Sequence, residues 1–459
     1  MKLILFVAVS ACFVAYCCHK VSNLIKPSPK PNLDTNLYWG PGDGLNYKAP
    51  EEIVPFKIIY DKEIIDDLRT QLNRTWKYAK PLKNVQFQYG FNSEALQHIV
   101  TYWRDFYLPK WSERQEYLNS LPQFKTEIQG LKIHYIHAKP SAKSRKDKKV
   151  LPLLLLHGWP GSVREFYDFI NLLIEPSGIS NYVFEVIAPS LVGFGWSDAA
   201  TRTGFNAAQM AIVMRNLMLR VGFDKFLVQG GDWGSIIGSD LATLFSENVL
   251  GLHCNLCLLY TPLAMAKEFI AGFNPERHVP SRLFVTHHFP MTEKFKMLLE
   301  ESGYFHLQAT KPDTIGIALE DNPTGLAAYI LEKFQSTSGT GLAAHEFNAM
   351  DKAFTLDALL DNLMIYYLTS SATTAGRFYA EYLSNDYTNL KMSRVQSPVK
   401  MGCARFKNDM PSAINWALED KFPNLVHSSY FNQGGHFAAL EVPAILYTNF
   451  QEFVNKVKN

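Results

Sequence analysis

The chain has 459 residues, 47% of them hydrophobic, with 45 Lys and Arg against 43 Asp and Glu for a formal net charge of +2. That length and apolar content predict a large core and more than one folding unit, and the near balance of charge excludes the basic footprint of a nucleic-acid binder. Six cysteines in so long a chain do not make a disulfide framework, which excludes a small cross-linked scaffold.

Leu3 to Cys18 is an uncharged, mostly apolar run, short for the ~20 residues of a membrane span but extended by Val21, Leu24 and Ile25. It predicts a membrane anchor over 1–25. Lys20, Lys26 and Lys30 lie on its C-terminal side against Lys2 and the amino group on the other, which favours a cytosolic catalytic domain. The competing reading is a signal peptide cleaved near Ala15-Tyr16-Cys17. Lys26 to Pro31 alternates with proline and predicts an extended spacer. Within 26–149, Glu63 to Trp76 and Asn92 to Leu108 read as helices, and Phe124 to Ile128 with Leu131 to Ala138 as a hairpin about Gln129-Gly130. The basic run Lys139 to Lys149 reads as a solvated hairpin loop. Asn73-Arg74-Thr75 fits the glycan acceptor pattern, which is modified only in the secretory lumen.

From 150 to 261, strand and helix patterns alternate. Val150 to Leu156 reads as a central parallel strand entering the loop His157-Gly158-Trp159-Pro160-Gly161, and Tyr182 to Pro189 as a second strand. Lys225 to Gln229 is strand-like and Ser235 to Phe245 helix-like. Between them stands Gly230-Gly231-Asp232-Trp233-Gly234, the small-x-nucleophile-x-small pattern of the nucleophile elbow in an α/β-hydrolase. The nucleophile position holds Asp, and an ionised carboxylate suits displacement at saturated carbon in an epoxide or haloalkane, leaving an alkyl ester on the enzyme. The bland reading of Asp232 is a helix cap. In this fold, Trp159 and Trp233 supply the backbone N–H groups of the oxyanion hole. Val249 to Leu259 reads as a further strand, in which Cys254 and Cys257, with no second ligand pair for a metal, are expected as buried thiols.

From 262 to 395 the strands give way to helical, aromatic sequence, such as Leu326 to Phe334 and Leu356 to Leu368, which predicts a lid. Strand patterning returns over 396–459, with Ser397 to Ala404 as a late strand, Asp409 in the loop after it, a helix-like Ile414 to Lys421, and Gln433-Gly434-Gly435-His436-Phe437 before a helical Ala438 to Tyr447. The chain order nucleophile, acid, His places Asp232 and His436 at its ends. The acid between them is Asp409, Glu419 or Asp420, with Asp409 favoured because a loop after a core strand presents functional side chains while the other two sit on a helix-like, solvated stretch.

With these motifs the chain resembles the microsomal epoxide hydrolases, and among them the insect juvenile hormone epoxide hydrolases. The likeness runs through Leu37-Tyr38-Trp39-Gly40-Pro41-Gly42, Trp111-Ser112-Glu113-Arg114-Gln115, the His157 and Asp232 motifs, Ser302-Gly303-Tyr304-Phe305-His306, Arg377-Phe378-Tyr379 and Gly434-Gly435-His436-Phe437. It implies Asp232 as nucleophile, His436 as the base that activates water, Asp409 in the charge-relay position where the family commonly has Glu, and Tyr304 and Tyr379 as the phenols that polarise the epoxide. A phenol with pKa near 10 suits that work, donating to the departing oxygen while staying neutral. The implied substrate is a lipophilic epoxide, juvenile hormone foremost, opened with water and no cofactor or metal on the endoplasmic reticulum membrane. The alternatives are a broad xenobiotic epoxide hydrolase, a haloalkane dehalogenase, which needs halide donors in place of paired phenols, and a catalytically dead lipid-binding relative.

Overall fold

The structure, a computed structural model, describes residues 26–45, 47–74, 77–176, 181–280, 282–338 and 349–458. Nine strands, β1 (Ile53–Phe56), β2 (Gln123–Ile128), β3 (Leu131–Ala138), β4 (Lys149–Leu156), β5 (Tyr182–Pro189), β6 (Phe226–Gly230), β7 (Val249–Cys254), β8 (Met401–Phe406) and β9 (Leu425–Phe431), form one sheet. Its order is β1-β2-β3-β5-β4-β6-β7-β8-β9. The β1 to β3 end is antiparallel and joins β5 antiparallel, whereas every pairing from β5 to β9 is parallel.

The parallel half is sandwiched by helices, which is why its strands are continuous apolar runs; Leu153 to Leu156 are completely buried. The order reverses at β4, whose neighbours are β5 on one side and β6 on the other. A crevice opens at the carboxyl ends of strands at such a switch point. The loops after β4 and β6 meet there. Between β7 and β8 the described residues hold helices alone, from Pro262–Ala271 to the short turn Met392–Arg394.

Several expectations are corrected. The β3 and β4 strands are separated by β5, so the basic run between them is a crossover connection and not a hairpin loop. The β7 strand ends at Cys254, and the chain then swings Cys257 over β8, where it is disulfide-bonded to Cys403; Cys254 alone stays a free, buried thiol. The helix expected from Asn92 runs Ser93–Tyr102 and continues as a wider π-helical turn, Trp103–Tyr107. Ile414 to Lys421 yields only Asn415–Leu418, and the last helix is split at Pro443, which lacks an N–H to continue the first. Two strands, β1 and β9, carried no readable alternation. The anchor expected over 1–25 lies outside the described residues. Among the described residues no helix is long and apolar enough to cross a membrane.

Candidate active site

The β6 strand and the helix Trp233–Leu244 meet in a turn with Asp232 at its apex, at φ +47° and ψ −126°. A non-glycine residue there costs on the order of 1–3 kcal/mol, a strain typical of functional turns. The flanking residues must be small because backbones touch. A Cβ on Gly234 would fall 1.9 Å from the Leu156 carbonyl oxygen, and one on Gly230 would fall 2.5 Å from the Gly234 carbonyl carbon. Asp232 occupies the N-cap position, yet its side chain makes no capping hydrogen bond. It points instead into the crevice.

The loop after β4 grips that carboxylate. Trp159 N–H donates to Asp232 Oδ1 at 2.8 Å, and Gly158 must lack a side chain because a Cβ would lie 2.2 Å from the same oxygen. Trp233 is the first residue of its helix, so its N–H is one of the helix's donors without an intrahelical acceptor. Burial pushes His157 down to about 4; its Nε2 accepts from Leu191 N–H at 3.1 Å, fixing the strand end. The helix Leu356–Thr369 braces the loop from above, through Asn362 Nδ2 to the Pro160 carbonyl at 2.8 Å and Tyr366 Oη to the Gly161 carbonyl at 2.9 Å.

His436 enters from the far end of the sheet. Its Nδ1 donates to Asp409 Oδ1 at 2.7 Å, and its Nε2 lies 3.4 Å from Asp232 Oδ2. Asp409, in the loop after β8, is 2% exposed, and its Oδ1 accepts from both the imidazole and the Met410 N–H at 2.7 Å. Glu419 is exposed, and Asp420 pairs with Lys267 at 2.5 Å. Burial alone would strip the His436 proton, but the carboxylates of Asp409 and Asp232 outweigh it and hold its pKa well above the ordinary value.

Tyr304, from the helix Gly303–Thr310, and Tyr379, from Ala372–Tyr382, come together opposite Asp232 with ring centroids 6.1 Å apart. Trp159 stacks on Tyr304 at 4.9 Å, and Trp233 meets Tyr379 edge-on at 4.6 Å. Burial raises both phenols above their usual pKa, reinforced by the charge of Asp232 at Tyr304 and by Tyr304 and then Asp232 at Tyr379, so each is a neutral donor.

Around this cluster lies a two-armed cavity. One arm, about 450 Å³, is lined by Asp232, Tyr260, Leu383, Lys391 and Ser393; the other, about 160 Å³, by His436, Met297, Leu298 and Lys333. Leu258, Tyr260, Tyr304, Phe305 and Met410 border both. A separate cleft of about 490 Å³ holds Arg377 paired with Asp313 and touches none of Asp232, Asp409 or His436.

Sequence reading missed two polar groups beneath the loop. Glu165 lines a closed space with Gly158, Asp232 and His436. Its only local signal, Ser162-x-x-Glu165, reads as a capping box. Asp361 is completely buried between Arg164, 2.9 Å away, Arg114 and the Tyr107 hydroxyl at 2.9 Å. No spacing along the chain announces that cluster. Among the described residues no group of three or more His, Cys, Asp or Glu is placed to hold a metal ion.

Comparison with known proteins bears on what this arrangement does. The family model described as epoxide hydrolase N terminus matches residues 53–166, and the alpha/beta hydrolase fold model matches 152–266. The chain is 44% identical to juvenile hormone epoxide hydrolase 1 of Ctenocephalides felis, covering 100% of this chain and 96% of that one. It is 40% identical to epoxide hydrolase 1 of Oryctolagus cuniculus, over 92% of each. The crystal structure of juvenile hormone epoxide hydrolase from Bombyx mori superposes with a TM-score of 0.87 at 40% identity, covering 93% of this chain and 99% of that one.

Proposed function

The chain belongs to the epoxide hydrolases of the α/β-hydrolase fold, and from that membership we propose that it converts lipophilic epoxides, juvenile hormone foremost, to vicinal diols through an ester on Asp232. With Oδ1 engaged by Trp159, Asp232 Oδ2 attacks one epoxide carbon. The carbon–oxygen bond breaks toward the oxygen, and a hydroxyl of Tyr304 or Tyr379 supplies the proton. His436 then takes a proton from water, the hydroxide adds to the Asp232 carbonyl carbon, and the Trp159 and Trp233 N–H groups receive the negative oxygen. Collapse expels the diol, whose second oxygen takes the proton from the His436 imidazolium, and the proton of the newly formed Asp232 carboxyl group returns to the tyrosinate, so that carboxylate, imidazole and phenol are all restored. Asp409 holds the imidazole in the required tautomer.

The single observation that carries this reading is the convergence of one strained carboxylate, one carboxylate-held imidazole and two neutral phenols on one apolar cavity. A halide leaving group has no use for two phenols as proton donors. Residues 26–149 form the N-terminal epoxide hydrolase region, 150–261 and 396–459 the two parts of the core, and 262–395 the lid that seals Asp232 from bulk water. Single-turnover hydrolysis in heavy-oxygen water tests the mechanism: the first diol should carry unlabelled oxygen and the Asp232 carboxylate the label. Label in the first diol would mean direct attack by water. Turnover of juvenile hormone against styrene oxide and stilbene oxide tests the substrate, with juvenile hormone expected to give the higher kcat/KM.

The N-terminal segment 1–25, with its apolar run Leu3 to Cys18, is proposed to attach the enzyme to the endoplasmic reticulum membrane. The lysines flanking it favour a cytosolic catalytic domain, whereas the Cys257–Cys403 bond favours the oxidising lumenal side.

A further inference from the structure

The helix Pro262–Ala271 is built inside out. Its charged residues point inward: Glu268 is buried and paired with Lys294 at 2.8 Å, and Lys267 reaches Asp420. Its outward stripe is apolar, with Met265 46%, Phe269 61%, Ile270 55% and, just past the helix end, Phe273 79% exposed. Those positions recur at the spacing of one helical face. The Lys294–Glu268 pair ties this helix to Met291–Glu301, which adds Phe295 and Leu299, 47% and 80% exposed. So large an apolar surface on a soluble face marks an interaction site.

The patch borders the catalytic cavity. Tyr260, two residues before the helix and 53% exposed, lines both arms, and Met297 and Leu298 line the smaller one beside the exposed Leu299. The larger arm is lined by the exposed Leu383, Lys391 and Ser393. There the described chain begins. Ser28 N–H donates to the Arg394 carbonyl at 2.9 Å, and Arg394 Nη2 donates to the Lys26 carbonyl at 2.7 Å. The N-terminal segment 1–25 therefore joins the folded chain at the rim of the cavity, beside the exposed basic side chains of Lys26, Lys30 and Lys391.

We propose that this rim is a membrane-docking face: the stripe from Met265 to Phe273 rests in the surface of a lipid bilayer, the basic side chains lie at the headgroups, and the cavity opens toward the lipid, from which a lipophilic epoxide enters directly. The inference rests on the membrane attachment proposed above and names a surface beyond it. A bilayer is the occupant because the described chain begins at this rim, at Lys26, directly after the apolar N-terminal run, and because an amphipathic helix with an apolar outer face lies in a bilayer surface.

The test uses the full chain with Cys12, Cys17 and Cys18 changed to Ala and an environment-sensitive fluorophore on Phe273→Cys, reconstituted in phosphatidylcholine and phosphatidylserine vesicles. A second sample carries the fluorophore on Lys225→Cys, at the end of β6 opposite Asp232. Docking predicts a blue shift at 273, none at 225, and co-flotation of both proteins. Flotation with 273 still reporting water overturns the docking face alone. Failure to float overturns the membrane attachment with it. A blue shift at 273 that needs no vesicles and grows with protein concentration identifies a second copy of the chain as the occupant and likewise overturns the proposal. In the same vesicles, joint replacement of Phe269, Ile270 and Phe273 by Gln should raise KM for a long-chain epoxide about fivefold or more. Turnover of styrene oxide delivered from buffer should not change, which shows that the variant is folded; an unchanged KM for the long-chain epoxide overturns direct transfer from lipid.

Discussion

The imidazole of His436 faces the carboxylate of Asp232 across 3.4 Å, from Nε2 to Oδ2, so the charge on each governs the other. While Asp232 is ionised it helps to hold the proton on His436. In the proposed reaction, conversion of Asp232 to an alkyl ester removes that charge and releases the imidazole to act as a base at the hydrolytic step. His436→Gln should therefore alkylate and stall, with a chain heavier by the mass of the substrate in mass spectrometry and steady turnover down about 10³-fold or more. Asp409→Asn should slow ester hydrolysis about 10²–10⁴-fold, because the imidazole loses its tautomer and its charge partner. Free turnover by the Gln variant would remove His436 from the role of base.

The two phenols share one task, so their losses should not simply add. Tyr304→Phe and Tyr379→Phe should each lower the single-turnover alkylation rate by less than about 10-fold, because the other phenol still donates, and the double variant by about 10²–10⁴-fold, more than the product of the two. Asp232→Ala should cost more than either single change. An unaltered alkylation rate in the double variant would mean that the departing oxygen is stabilised elsewhere.

Burial, reinforced by Asp232, Glu441 and Asp409 and opposed by His436, pushes Glu165 up to about 8. The folded state thus binds a proton that the unfolded chain releases above about 4.5. The stability this confers is complete below about pH 4.5 and is lost as pH rises through 8. Glu165→Gln keeps the neutral shape without the proton. Thermal unfolding should therefore show the variant close to the parent at about pH 4 and increasingly more stable than it up to about pH 9, and equal pH slopes for the two would refute the linkage.

Asp361 bridges Arg114 and Arg164 in a buried cluster, where Arg114 has a second, more exposed partner in Asp357 at 3.5 Å. Asp361→Ala leaves two guanidinium groups poorly compensated, and should destabilise the fold by about 3–5 kcal/mol in denaturant unfolding. Because the adjacent Asn362 braces the Pro160 carbonyl, the surviving fraction should also lose kcat. A loss below about 1 kcal/mol would mean that solvent already shields the cluster.

Two reporters decide which side of the membrane the enzyme faces. Asn73 is exposed, so a lumenal domain should carry glycan there and keep Cys257 and Cys403 resistant to thiol reagents after denaturation. A cytosolic domain should leave Asn73 bare and expose both thiols. Glycosidase sensitivity and mass-tagged alkylation read the two independently.

Much of the molecule was legible along the chain because its signals are local. The run Leu153 to Leu156 announces a doubly covered strand, and Gly230 and Gly234 are dictated by a turn whose backbones touch, so the elbow and its nucleophile position follow from adjacent residues. Other features depend on residues far apart in sequence that no local period relates. That Asp409, and neither Glu419 nor Asp420, reaches His436 depends on where β8 lies beside β9. That Tyr304 and Tyr379, among 22 tyrosines, face Asp232 depends on how two helices cross above the sheet. Cys257 read as a strand thiol and found Cys403 because the chain leaves the sheet after Cys254. Glu165, in a capping-box sequence that announces nothing further, lies beside Asp232. Periodicity records which face of an element is buried, while the partner it is buried against is set by packing.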